Sequence, residues 1–168
     1  MYQNKDHINP KHIVTKTGKI DISNQKNLLE ITKKISKLIN KGDNLFLYGE
    51  LGVGKTTFAR NFINQLQYLN KTNLTEVLSP TFSILNEYKI NNLNIKHYDL
   101  YRVKQIEELV NLGLFEEKDA INIIEWPAIL KSYKIKIIKF DFSYSENFEN
   151  RSLIISSNYN NKIVDEFK

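Results

Sequence analysis

The strongest constraint in this sequence is an apolar run that passes through closely spaced glycines into a lysine–threonine pair and an amphipathic segment, LFLYGELGVGKTTFARNF at residues 45–62. From Gly49 to Thr56 it matches the pattern G-x-x-x-x-G-K-[ST] between a predicted strand and a predicted helix. Glycines let phosphate oxygens approach backbone N–H groups closely, and the helix N-terminus that follows favours negative charge. The stretch therefore predicts a phosphate-binding loop rather than an ordinary glycine-rich turn.

The side chains of this loop indicate the ligand that it takes. Lys55 is placed to meet the β and γ phosphates of a nucleotide, and the Thr56 hydroxyl is placed to ligate the Mg²⁺ that bridges them. The loop residues that we predict to contact the nucleotide are Gly52, Val53, Gly54, Lys55, Thr56 and Thr57.

Length and composition indicate one globular domain. The chain has 168 residues, of which 41% are hydrophobic and 26% are charged, and this is enough for a single core. We expect disorder only at the ends, with residues 1–11 flexible and residues 159–168 forming a loose tail. Because the chain has no cysteine, it cannot form a disulfide framework or a thiolate metal site, which is compatible with a reducing compartment.

Charge and hydropathy restrict the surroundings of the protein. No apolar run approaches the roughly 20 residues that a membrane helix needs, and the first residues lack the apolar core of a signal peptide. We therefore expect a soluble, cytoplasmic protein without membrane contact. The net charge of +5 and the pI of about 9.2 would suit nucleic acid or an acidic partner. Because the lysines are spread along the chain, we interpret them mainly as solvated surface.

A helix is predicted before the phosphate-binding loop. Apolar residues recur at helical spacing over residues 24–40, Ser23 is a suitable N-cap, and Gly42 is placed to end the helix. Residues 40–43 also spell N-K-x-D, a pattern that guanine-specific GTPases use to read the base. In those proteins the pattern follows a buried strand, whereas here it follows a helix. We therefore interpret it as a helix end and a turn.

Two acidic residues are candidates for the chemistry because each follows an apolar strand. Residues 82–100 alternate in polarity on either side of an Asn-Asn pair, which predicts a β-hairpin closed by Asp99. Residues 120–124 predict another strand, which delivers Glu125 at its carboxyl end. Nucleotide enzymes place an acidic residue at such a position to hold Mg²⁺ or its water, and the pattern does not distinguish Asp99 from Glu125.

The remaining periodic segments complete an α/β fold. They are strands or hairpins at residues 12–22, 134–145 and 151–157, and helices at residues 58–69 and 105–112. We therefore predict a single P-loop NTPase domain over residues 1–168, with a mixed, mainly parallel sheet that is flanked by helices and extended by antiparallel hairpins.

Together these motifs resemble the TsaE family of bacterial ATPases. The segments GELGVGKTTFAR, SPTFSILNEY, HYDLYRV, EELVNLGLFE and IEWP occur in the order and spacing of that family, between residues 45 and 130. Many families share a phosphate-binding loop, but the motifs SPTF, HxDLYR and EWP behind it are much more specific. The resemblance implies a P-loop ATPase that uses ATP and Mg²⁺ and is required to make threonylcarbamoyladenosine at position 37 of tRNAs that read ANN codons.

The resemblance also implies partners and residue roles. Members of the family act with the TsaD and TsaB proteins as an accessory ATPase, and they reach tRNA through that complex. By matching positions, Thr56 and Glu125 would hold Mg²⁺, while Asp99 would support hydrolysis alongside Lys55. Three further features are implied near the nucleotide. Glu50 would place a carboxylate over the loop, Ser79 and Thr81 would form a nucleotide-responsive loop at the γ-phosphate, and Arg151 would lie near the nucleotide.

Two other functions fit a phosphate-binding loop. A small-molecule kinase of this size would surround the migrating phosphoryl group with several arginines, whereas this chain has only Arg60, Arg102 and Arg151 and no arginine-rich lid. The other alternative is a nucleotide-dependent binding module with negligible turnover. Phosphate transfer to an acceptor would indicate the kinase, and partner binding without hydrolysis would indicate the module.

Overall fold

The strand that leads into the phosphate-binding loop lies in the middle of the sheet. In the computed structural model, which describes residues 15–168, β3 (Asn44–Tyr48) is paired in parallel with β6 (Ile121–Glu125) on one side and β7 (Ile138–Tyr144) on the other. The first four residues of β3 are buried. Parallel strands that are covered on both faces are built from such continuous apolar runs.

The outer strands add antiparallel pairs to this parallel centre. The other strands are β1 (Thr15–Lys16), β2 (Ile20–Asp21), β4 (Leu85–Ile90), β5 (Leu93–Asp99) and β8 (Arg151–Ser157). The sheet order is β1-β8-β7-β3-β6-β5-β4, with β2 also on β8. Parallel pairing joins β7, β3, β6 and β5, and the remaining pairs are antiparallel. The predicted mixed α/β sheet is confirmed.

Helices cover both faces of the sheet, as the alternation of strand side chains requires. One face is covered by α1 (Gln25–Leu38) and α2 (Lys55–Leu69), and the other face by α3 (Ile106–Asn111) and a 3₁₀ turn at Pro127–Leu130. Within β3, Leu45 and Leu47 belong to the first core, whereas Phe46 belongs to the second. The sheet therefore separates two apolar layers.

The predicted first helix forms, but its boundaries differ from the expectation. Asn24 is the N-cap, because its side chain accepts a hydrogen bond from the Lys26 N–H, while the Ser23 hydroxyl bonds Asp21 instead. The helix ends before Gly42, which has a φ of +81° in the turn into β3. Asp43 in that turn accepts from the Asn40 N–H at 2.8 Å. The N-K-x-D pattern is thus a turn at the amino end of β3, at the opposite end of that strand from the phosphate-binding loop.

The parallel register brings three strand ends to one edge of the sheet. Leu47 of β3 is opposite Glu125 of β6, and Glu125 is opposite Asp99 of β5. In open α/β sheets, ligands bind in the crevice outside the carboxyl ends of the strands. The fold therefore places the phosphate-binding loop, which follows β3, beside both candidate acids.

The C-terminal residues pack against the fold, so the prediction of a loose tail over residues 159–168 is wrong. They contain α4 (Asn161–Asp165), whose Ile163 and Val164 are fully buried against the core that α1 covers. The Tyr159 hydroxyl donates to Asp43 at 2.5 Å. Two adjacent apolar residues are too few to give a helical periodicity in the sequence. The helix is recognised only from its packing against the core.

The N-terminal prediction has a different outcome. The expected flexible segment at residues 1–11 lies outside the described residues. Over residues 15–168, the structure has no helix with the length and apolar character needed to cross a membrane.

Replacing Ile163 by Ala tests the packing of α4. The free energy of unfolding should fall by about 2–5 kcal/mol, because the substitution leaves a cavity beside α1. Lys162→Ala, on the exposed side of the same helix, should change it by less than about 0.5 kcal/mol. Urea denaturation of both variants measures this, and equal stability of Ile163→Ala and the parent would mean that the segment is not docked.

Candidate functional site

Two glycines determine the path of the phosphate-binding loop. Gly49 has a φ of +143°, and a Cβ there would lie 2.7 Å from the Phe142 carbonyl oxygen and 2.9 Å from the Val53 side chain. Gly54, the N-cap of α2, has a φ of +120° and no side chain that could occupy the first N–H groups of the helix. Residues with a Cβ atom rarely adopt such backbone angles, so both positions require glycine. The helix N-terminus is left open toward an anion.

Lys55 is held at the centre of the loop. Its Nζ donates hydrogen bonds of 2.8 Å to the carbonyl oxygens of Gly49 and Glu50 and lies 3.9 Å from the centroid of the Trp126 ring. The residue is only 4% exposed. Burial lowers the pKa of Lys55, whereas the nearby carboxylates of Glu125 and Asp99 act in the opposite direction. The ammonium group is thus fixed in place by two carbonyl oxygens and the Trp126 ring.

Thr56 and Glu125 join the loop to the end of β6. The Thr56 hydroxyl donates to Glu125 Oε2 at 2.9 Å. A hydroxyl and a carboxylate are oxygen donors of the kind that Mg²⁺ prefers. Within residues 15–168 no group of three or more His, Cys, Asp and Glu side chains could hold a metal. Thr56 and Glu125 thus supply two oxygen donors of this kind at the cavity.

Asp99 is tied to a different loop. It is 3% exposed, its Oδ2 accepts from the Thr81 hydroxyl at 2.5 Å, and its Oδ1 accepts from the Tyr101 N–H at 3.0 Å. The hydroxyls of Thr81 and Ser79 are 2.9 Å apart. The two candidate acids consequently have separate partners: Glu125 contacts the helix of the phosphate-binding loop, and Asp99 contacts the segment at residues 79–84.

Trp126 connects these two halves. It has a left-handed backbone with φ +57°, and its N–H donates to the Leu47 carbonyl at 3.3 Å. Its ring packs on Lys55 and on the Tyr101 ring, whose centroid is 4.9 Å away. The left-handed turn is a sparsely populated conformation for a bulky residue, and such strain is concentrated at functional sites.

The predicted site residues are largely brought together in one cavity. It is lined by Leu51, Gly52, Gly54, Lys55, Thr56, Thr57, Ser79, Thr81, Asp99, Glu125 and Trp126. Two predicted residues, Val53 and Glu50, do not line it. The Val53 side chain is buried in the core. Glu50 is an exposed residue whose backbone carbonyl accepts a hydrogen bond from Lys55. Arg151 lies in a neighbouring depression with Tyr144, whose hydroxyl is 3.5 Å from the Leu51 carbonyl.

Sequence interpretation assigned no role to several residues at the site, among them His97, Tyr101 and Tyr144. His97 lies beneath Glu125 with an Nε2 to Oε1 distance of 2.9 Å, and its position two residues before Asp99 in a strand was a usable signal. Tyr101 and Tyr144 gave no such signal. Their contacts with Trp126 and Leu51 depend on pairings between distant segments.

None of the three arginines, which all lie within the described residues 15–168, lines the cavity. Arg60 donates to the Val77 carbonyl, Arg102 lies over the Phe82 ring at 5.2 Å, and Arg151 lies over the Tyr144 ring at 5.5 Å. Among the described residues, Lys55 is therefore the one positively charged side chain that lines the cavity. This arrangement does not favour a kinase, which surrounds the migrating phosphoryl group with several positive charges.

Comparison with known proteins identifies a family. Residues 22–153 match the sequence model of a family described as threonylcarbamoyl adenosine biosynthesis protein TsaE. A Rickettsia felis protein named tRNA threonylcarbamoyladenosine biosynthesis protein TsaE is 44% identical over 110 residues, which are 61% of this chain and 60% of that protein. The chain thus matches about three fifths of the length of that relative. A Haemophilus influenzae protein of the same name is 29% identical over 87% of this chain and 94% of its own.

The fold has a solved counterpart. The crystal structure of Bacillus subtilis YdiB superimposes with a TM-score of 0.69 and covers 93% of this chain and 96% of its own, at 24% sequence identity. At that identity the likeness supports the fold alone.

Replacing Gly49 by Ala tests the geometry of the loop. The new Cβ would collide with the Phe142 backbone, so the free energy of unfolding should fall by about 1–3 kcal/mol. Gly18→Ala is the matched control, because a Cβ at that position meets nothing within 4 Å. Thermal and chemical denaturation of both variants provide the measurement, and an unchanged stability of Gly49→Ala would contradict the close approach of the loop to β7.

Proposed function

The chain belongs to the TsaE family, and from that premise we propose that it is a Mg²⁺-dependent ATPase that acts in the threonylcarbamoylation of adenosine 37 in tRNAs that read ANN codons. The observation that carries this proposal is the 2.9 Å hydrogen bond between Thr56 and Glu125, which joins the phosphate-binding helix to the carboxyl end of β6. It assembles a hydroxyl, a carboxylate and the adjacent Lys55 around one cavity.

Phosphate binding is assigned to the loop and the start of α2. The first turn of α2 contains no acidic residue, so its positive end is not neutralised by a side chain. Lys55 supplies the charge for the β and γ phosphates, and its carbonyl partners keep it pointed into the loop. Thr57 lines the same cavity and adds a hydroxyl.

Thr56 and Glu125 are assigned as the residues that hold Mg²⁺. Mg²⁺ held by these two residues would supply positive charge that offsets the negative charge of the phosphates. Because Glu125 is 2% exposed and accepts hydrogen bonds on both oxygens, it is held in one orientation. Such a preorganised carboxylate needs little rearrangement when the ligands enter.

Asp99 is assigned to the water that attacks the γ-phosphate. Its bond to Thr81 couples it to the segment at residues 79–84, so a shift of that segment on nucleotide binding would also shift the carboxylate. Order and disorder of such a loop on hydrolysis is a common signalling device of small nucleotide-binding proteins. This segment is therefore the proposed nucleotide-responsive element.

In this proposal the protein acts as a nucleotide switch on a complex of the TsaD and TsaB proteins, and it reaches tRNA indirectly through that complex. Large apolar side chains flank the cavity and the 79–84 segment, with exposures from 57% to 88%: Leu51, Leu78, Phe82 and Tyr101. Exposed apolar side chains of this kind favour a protein contact next to the nucleotide. Because tRNA and ATP are cytoplasmic molecules, the proposal also places the protein in the cytoplasm.

Neutralising the two acids separates their roles. Glu125→Gln should weaken Mg²⁺-dependent ATP binding, whereas Asp99→Asn should bind ATP and turn it over slowly, because positioning of water matters mainly in the transition state. Lys55→Ala is the control that should lose ATP affinity and turnover together. Calorimetry of ATP binding and steady-state hydrolysis measure these effects. Identical defects in the two acid variants would contradict the division of roles.

The switch itself is tested on the partner complex. Binding to the TsaD and TsaB pair should be tighter with ATP than with ADP, and cells depleted of the protein should lose threonylcarbamoyladenosine from their tRNA. Calorimetry in the two nucleotide states and mass spectrometry of tRNA nucleosides provide the measurements. Equal affinities would remove the switch, and unchanged nucleoside levels would remove the pathway.

A further inference from the structure

A fully buried histidine stands behind the candidate metal-binding carboxylate. The His97 side chain on β5 is 0% exposed, and its Nε2 lies 2.9 Å from Oε1 of Glu125. The other carboxylate oxygen, Oε2, accepts the hydrogen bond of the Thr56 hydroxyl. The two oxygens of Glu125 therefore have different partners, one from a neighbouring strand and one from α2.

We propose that His97 orients Glu125 so that Oε2 is presented to the cavity, and that this orientation sets how tightly the site holds Mg²⁺ together with the nucleotide. The inference rests on the proposed Mg²⁺-nucleotide function. His97 does not line the cavity, so it acts through Glu125 and is a positioning residue rather than a catalytic one.

The direction of the hydrogen bond follows from the chemistry of the pair. A carboxylate only accepts hydrogen bonds, so the proton of this bond must lie on Nε2 of His97. The opposite ring nitrogen, Nδ1, has no hydrogen-bond partner among the described residues. One ring nitrogen thus donates to Glu125, and the burial of the other without a partner lowers the stability of the fold.

Packing alone does not account for a histidine at this position. Ile123 is directly across the strand pair from His97, and Ile95 precedes it on the same face. An apolar side chain would fill the space between these residues without a buried polar atom that lacks a partner. The residue type is explained by the need for a donor to Glu125.

A second anchor matters because the end of a glutamate side chain turns easily. The terminal torsion of Glu has broad, shallow preferences, so one hydrogen bond from Thr56 leaves the carboxylate free to rotate. With His97 on Oε1 and Thr56 on Oε2, both oxygens are assigned. Loss of such an outer partner typically costs about 10–100-fold in metal affinity.

Three substitutions at position 97 distinguish orientation from packing. His97→Gln places an amide N–H near the position of Nε2, His97→Asn has an amide that reaches only to the position of Nδ1, and His97→Leu is apolar. Ile95→Ala is the matched control, because Ile95 is fully buried on the same strand face and has no polar group.

The measurement is the gain in affinity for a non-hydrolysable ATP analogue when Mg²⁺ replaces EDTA, determined by calorimetry. His97→Leu and His97→Asn should lose this gain by about 10-fold or more, while binding in EDTA stays as in the parent. His97→Gln should retain most of the gain. Ile95→Ala should lower the thermal unfolding midpoint and leave the gain intact. Electron paramagnetic resonance of Mn²⁺ in the ternary complex gives a readout that is independent of turnover.

Two results would overturn the inference. An unchanged Mg²⁺-dependent gain in His97→Leu and His97→Asn would show that Glu125 needs no second anchor, and an equal loss in His97→Gln and His97→Asn would show that the position acts by packing. If His97→Leu does not fold, the comparison of Gln with Asn decides. If the parent protein itself gains no affinity from Mg²⁺, the proposed function fails first, and the inference fails with it.

Discussion

The parallel hydrogen-bonded register of β3, β6 and β5 is the constraint on which the site depends. It sets Leu47 opposite Glu125 and Glu125 opposite Asp99, so the end of the loop-bearing strand and both acids occupy one edge. A slip of one residue would turn every side chain of a strand to the other face of the sheet. Glu125 would then point away from α2, and its bond to Thr56 could not form. Successive side chains of a strand lie on alternate faces of the sheet, and this alternation both separates the two cores and directs the carboxylates.

Burial of charge is the second consequence of this arrangement. Lys55, Asp99 and Glu125 are each less than 5% exposed, and an unpaired buried charge is strongly destabilising. The protein compensates each one separately: backbone carbonyls and the Trp126 ring hold Lys55, Thr81 and the Tyr101 N–H hold Asp99, and Thr56 with His97 hold Glu125. The partners come from several loops and strands, so the geometry of the site depends on the whole carboxyl edge of the sheet.

The opposite edge of the sheet has a different task. There the turn before β3 is held by Asp43, which accepts from Asn40 and from Tyr159, and α4 packs on the core beneath α1. Burial raises the pKa of Asp43 above its usual value, and the hydrogen bonds from Tyr159 and Asn40 offset part of that increase. The turn before β3 and α4 thus stabilise this side of the sheet, whereas the candidate chemistry lies at the carboxyl ends of the strands, where ligands bind in open α/β sheets.

Local sequence patterns were enough to predict the features that depend on neighbouring residues. The glycines before Lys55, the alternation of the β4–β5 hairpin and the apolar runs before Asp99 and Glu125 all act through local backbone geometry, so pattern was sufficient for the α/β fold, the loop and the two candidate acids. Only the tertiary structure assigned their partners. Thr56 and Glu125 are 69 residues apart and His97 and Glu125 are 28 apart, so their bonds depend on strand order, which no local pattern encodes. For the same reason Arg151 lies beside the cavity rather than in it, and Ile163 with Val164 forms a docked helix rather than a tail: each position is decided by surfaces that distant segments supply.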